Sequence, residues 1–200
     1  MFRSFALALV SASTVAIGSA GAVDPFDAVV PQAAKTSACF AAHYDHRHLA
    51  AHPGQHTTAM RLSLLRDHDG EPDFTMRLAM ERRERKQPFH VVGYCSHAVE
   101  DPLSPPLTAE ARRKRETRLI CMARGGLGGS AEEGGEFELE IAADRGSMML
   151  RADDGLSGWN GWDQSGPSDF VELGDEDRVF RLKPVDRAAC AELEAKISVE

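Results

Sequence analysis

Residues 136–141 read EFELEI. Glu136, Glu138 and Glu140 alternate without a break with Phe137, Leu139 and Ile141. On a helix, steps of about 100° would mix acids and hydrocarbons on every face. On a strand, the three acids line one face and the three apolar side chains the other. The same period-two pattern recurs along the chain. Met60, Leu62 and Leu64 alternate with Arg61 and Ser63; Phe74, Met76, Leu78 and Met80 alternate with Thr75, Arg77 and Glu81. Phe89, Val91, Gly93 and Cys95 form a further set, with Val92 and Tyr94 opposite, followed by Thr117, Leu119 and Cys121, then Met148 and Leu150. Phe170, Val171 and Leu173, and lastly Val179, Phe180 and Leu182, complete the series.

Turn signals separate these runs: His68-Asp69-Gly70, a Pro-rich loop from Glu100 to about Ala109, a glycine-rich loop from Gly125 to Gly135, and Asp144-Arg145-Gly146. SGWNGWDQSGPSD (157–169) and Gly174-Asp175-Glu176-Asp177 read as turns as well. Asp186 can cap a closing helix from Arg187 to about Lys196, with Ala189, Cys190, Leu193 and Ile197 on one face. The expected fold is all-β: an antiparallel barrel or sandwich of about seven to eight strands around one interior, with a short C-terminal helix.

The chain of 200 residues opens on MFRSFALALVSASTVAIGSAGAVDP. Arg3, an uncharged apolar stretch and Ala20-Gly21-Ala22 have the three parts of a secretory signal, with cleavage expected before Val23. The expected organisation is a signal peptide over residues 1–22, an N-terminal lead over 23–38 that is free to move, and a single β-rich domain over 39–200. No later stretch is apolar over a membrane-spanning length, so no membrane span is expected after cleavage, and the location is periplasmic or secreted. With 31 acidic against 23 basic residues, the formal charge of −8 argues against nucleic acid as a partner.

The four cysteines, Cys39, Cys95, Cys121 and Cys190, admit three pairings, and an even count in an exported chain suggests two disulfides. Cys95 shares the parity of Phe89 and Val91, and Cys121 that of Leu119. Both point to one interior, which favours Cys95–Cys121 and leaves Cys39 with Cys190.

Three groups carry candidate chemistry. HYDHRHLAAHPGQH (43–56) holds five of the eight histidines: His43, His46, His48, His52 and His56. Asp45 can cap a short helix over 46–51, which would put His48 and His52 four residues apart, as a Zn, Cu or Ni site requires. Pro53 works against a helical His52, and Leu49 stands where a zinc protease has its glutamate. Trp159 and Trp162, with Asn160, Asp163 and Gln164, can offer rings to a sugar or fold back over the barrel mouth. Two basic clusters, Arg82-Arg83-Arg85-Lys86 and Arg112 to Arg115, are expected at opposite ends of one strand as solvated turns. No motif of a serine hydrolase, β-lactamase or P-loop enzyme is present, and the thiols are expected to be oxidised.

These features predict an exported, non-catalytic β-domain that binds a small ligand or an envelope partner and has no cofactor. A histidine-based metal-binding protein is the second expectation, and a hydrolase a distant third.

Overall fold

The computed structural model describes residues 24–30, 36–66, 74–98, 107–124, 134–144 and 146–197. The expected signal peptide and the turn at residues 68–70 lie outside them, as do most of the Pro-rich and glycine-rich loops. The alternating segments form β2 (Thr57–Arg66), β3 (Phe74–Arg82), β4 (Phe89–His97), β5 (Arg118–Ala123), β6 (Glu136–Ile141), β7 (Met148–Ala152) and β10 (Val179–Val185). They are joined by β1 (Thr36–His43) and by a hairpin of β8 (Gly155–Asn160) and β9 (Asp169–Glu172). Each strand pairs antiparallel with its neighbour from β1 to β7, and β10 pairs with both β7 and β1. The result is a closed eight-strand barrel, β1–β7 plus β10, with β8 and β9 outside the ring.

The parity read from the sequence sets the interior. Met60, Leu62 and Leu64 of β2 lie beside their register partners Met80, Leu78 and Met76 on β3, and Phe89, Val91, Leu119, Phe137, Leu139, Leu150, Phe180 and Leu182 project into the same interior. All are buried, and each contributes about 1.5–3 kcal/mol relative to exposure. An eight-strand barrel is just narrow enough for side chains to fill it.

Two disulfides match the pairing that parity favours. Cys95 and Cys121 are register partners on β4 and β5, with Cα atoms 4.0 Å apart inside the barrel. Cys39 points outward from β1 and joins Cys190, at the end of a 3-10 turn (Arg187–Cys190) that leads into α3 (Ala191–Lys196). Asp186 caps that turn by accepting from the Ala188 N–H at 2.8 Å. Leu193 and Ile197 then cover Ala79 and Val92 on the outer wall of β3 and β4.

Four elements differ from the sequence expectation. The lead is not loose where it is described: a 3-10 turn, Pro25–Ala28, buries Phe26 and Val30 in the barrel end. β1 starts at Thr36, within the stretch read as lead. Residues 109–116 form α2 (Ala109–Glu116), capped by Thr108, instead of continuing a loop into a basic turn. Residues 155–160 are strand and not turn, because their glycines serve close backbone approach. A Cβ on Gly158 would lie 2.1 Å from the His90 carbonyl oxygen of the paired strand.

Candidate functional site

The histidine stretch lies where β1 crosses to β2. Asp45 caps α1 (His46–Ala51) by accepting from the His48 N–H at 2.8 Å, and His52, before Pro53, leaves the helix at φ −124° and ψ 74°. His48 and His52 stack face to face, with ring centroids 4.5 Å apart, and His48 stacks in turn on Tyr44 at 4.8 Å. Stacked rings do not direct their nitrogens to a common point. His48 Nε2 is 2.9 Å from the Gln55 side-chain oxygen, and His56 Nδ1 is 3.2 Å from Glu84. His43 and His46 are exposed. Among the described residues, no group of three or more His, Cys, Asp or Glu side chains is arranged to hold a metal.

The tryptophans pack on the outer wall and do not cover the barrel mouth. Trp159 is 6% exposed, donates to the Gly166 carbonyl at 3.1 Å and packs under α3 with Ala79, Val92, Leu193 and Ile197. Trp162 lies on the ring of His90 at 4.1 Å, with the Lys196 ammonium 4.8 Å from its own ring. The missing signal was the outward face of β4, where buried Val92 and His90 demand a cover. Burial pushes the His90 imidazole below its ordinary value, against the opposing pull of the Gly161 carbonyl.

The first basic cluster is structural. Arg82 is buried against Glu84 and Asp177. Arg83 donates to the Leu49 and His52 carbonyls, and Arg85 holds Asn160 and Asp169. The second cluster rides on α2, which exposes Arg112, Arg113 and Lys114. α2 enters β5 beside the C-terminal end of β4, so these cations stand at the end of the barrel opposite the histidines.

At that cationic end a cavity of about 310 Å³ opens between the 24–30 segment and the rim. Ala28 and Val29 form one wall; Ala38 and Phe40 of β1, Ile141 of β6, Met148 of β7 and Pro184 and Val185 of β10 form the others. Ser37, Ser147 and Arg187 contribute its polar edge. Ser147 is fixed by Asp144 and by the Arg181 Nε, which donates to its hydroxyl at 3.0 Å. The 24–30 segment is pinned beside the cavity by Asp27 on Arg66 at 2.9 Å and Asp24 on His97 at 3.0 Å.

Burial alone would raise the Asp24 carboxyl. The hydrogen bonds from His97 and the Phe26 N–H, with the charges of His97 and Arg66, outweigh burial and hold it below its ordinary value. A lowered native pKa stabilises the fold above the ordinary carboxylate value, and that contribution is lost as pH falls through the native one. Asp24→Asn is therefore expected to lower stability at pH 7, with the deficit shrinking as pH falls below the ordinary carboxylate range, as read from urea midpoints across pH.

Comparison with protein-family models, curated proteins and solved structures finds no match to this chain.

Proposed function

We propose that the protein is an exported, non-catalytic binding protein, periplasmic or secreted, that receives the apolar part of a small anionic ligand in the cavity at its cationic end. The two disulfides suit an oxidising compartment, and no described helix is long and apolar enough to cross a membrane. The observation that carries the reading is an apolar recess of about 310 Å³ with Arg187 on its edge, at the same end of the barrel as the exposed Arg112, Arg113 and Lys114 of α2. The volume lies at the lower end of the range for small-molecule sites, and such sites combine an apolar lining with a few polar groups. Exposed cations on a chain of net charge −8 give an anion a local sign preference at this end. The oxidised cysteines leave no thiol nucleophile.

Dodecanoate is a suitable probe. Calorimetric titration is expected to give saturable binding to the full chain. Ala38→Trp, which fills the recess from β1, is expected to weaken it at least tenfold while the melting temperature stays within a few degrees. No saturable binding, or equal binding by the filled variant, would sink the reading.

A further inference from the structure

The 24–30 segment already behaves as a ligand of the barrel end. Its backbone hydrogen bonds run mostly within itself, from the Asp27 N–H to Asp24 and from the Val29 and Val30 N–H groups to Phe26. Side chains hold it in place. The Phe26 ring is fully buried, with its centroid 5.9 Å from that of Phe74 and 5.5 Å from that of His97. The Asp27 carboxylate meets the Arg66 guanidinium at 2.9 Å. Arg66 is only 3% exposed and lies over the Phe74 ring at 4.4 Å. A guanidinium that deep in an apolar barrel end is costly unless an anion meets it. Here that anion arrives on a segment that makes none of the barrel's strand pairings.

We propose that the socket of Arg66, Phe74 and His97 is a recognition site for a carboxylate carried on an aromatic or similarly bulky apolar group, and that residues 24–30 are its competing occupant in cis. Phe26 and Asp27 are the template: a ring against Phe74 and His97, and a carboxylate on Arg66. A free ligand of that shape reproduces both contacts. Ala28 and Val29 wall the neighbouring recess, so departure of the segment joins socket and recess into one larger site. In that respect the inference rests on the binding function proposed above.

The experiment titrates 3-phenylpropionate, and its neutral analogue 3-phenylpropanol, into the full chain and into Phe26→Ala and Asp27→Asn. Asp27→Asn keeps the buried ring and so preserves the test where Phe26→Ala does not fold cooperatively. Both variants are expected to bind the carboxylate at least tenfold more tightly than the parent and to show no such gain for the alcohol. Adding Arg66→Gln to either is expected to cancel the gain. Affinity unchanged in both variants, or a gain that survives Arg66→Gln, overturns the cis-occupant inference. If the parent still binds dodecanoate in that case, the recess stands as a binding site on its own. Absence of binding by parent and variants to either acid overturns both.

Discussion

Replacing Cys39 and Cys190 together by alanine is expected to lower the unfolding free energy by about 5 kcal/mol, against about 3.5 kcal/mol for the Cys95 and Cys121 pair. The difference follows from loop length. The first bond closes 151 residues and the second 26, and a cross-link restrains the unfolded chain more as its loop grows. Position reinforces the order. Cys95–Cys121 joins two residues already facing each other in a strand ladder, so its native geometry persists without the bond. Cys39–Cys190 links β1 to the turn that launches α3, which is otherwise held by Leu193 and Ile197, by Ser63 donating to Glu194 at 2.6 Å and by Arg77 donating to the Ile197 carbonyl at 2.7 Å. Urea unfolding followed by Trp159 and Trp162 emission measures both losses, since these rings lie beneath α3. A larger loss from the short-loop pair would mean that strain or packing, and not chain restraint, governs the two bonds.

The barrel was legible because its interior obeys one rule. From Met60 to Leu182 the side chains that fill the barrel fall on alternate positions of each ring strand, and the same parity placed both cysteines of the inner disulfide. Where that rule gave no contrast, the sequence was silent. β1 carries Ala38, Phe40 and Ala42 inward and Cys39 and Ala41 outward, so small residues occupy both faces and no alternation is visible. The expected strand count reached eight only because β9, which lies outside the ring, stood in for β1. β8 was obscured by glycines that permit contact with His90 and Val171 and look the same in sequence as turn glycines. The tryptophans and α3 were each visible, but their contact across the outer wall depends on β8 pairing with β4, which no local pattern encodes. The recess and the Arg66 socket were illegible for a similar reason: each draws on segments far apart in sequence, and the Asp24, Phe26 and Asp27 that occupy the socket sit in a stretch too short and too weakly patterned to announce an element.

The opposite end of the barrel yields the second large effect. Asp177→Ala is expected to cost about 3 kcal/mol or more. Asp177 is fully buried on a 3-10 turn, Asp175–Asp177, between β9 and β10. One carboxylate oxygen accepts from the His56 N–H at 2.8 Å and the other from the Thr57 N–H at 3.0 Å, which ties the start of β2 to the turn before β10. The Arg82 guanidinium lies 3.8 Å away with its side chain 6% exposed. Alanine removes two acceptors and leaves that cation with Glu84 as its remaining carboxylate, which is far more exposed. Removing one partner of a buried charge pair costs about 3–5 kcal/mol, because the other charge stays in a poor solvent. Glu84 places the expectation toward the lower bound. Two further variants separate the causes. Asp177→Asn keeps one acceptor oxygen but no charge, so a loss close to that of alanine assigns the effect to Arg82, and a loss of half or less assigns it to the two N–H groups. Arg82→Met on the Asp177→Ala background removes the stranded cation and is expected to restore at least half of the loss. Urea unfolding of the four chains measures these losses, and a cost below about 1 kcal/mol for Asp177→Ala would mean that water already reaches this end of the barrel.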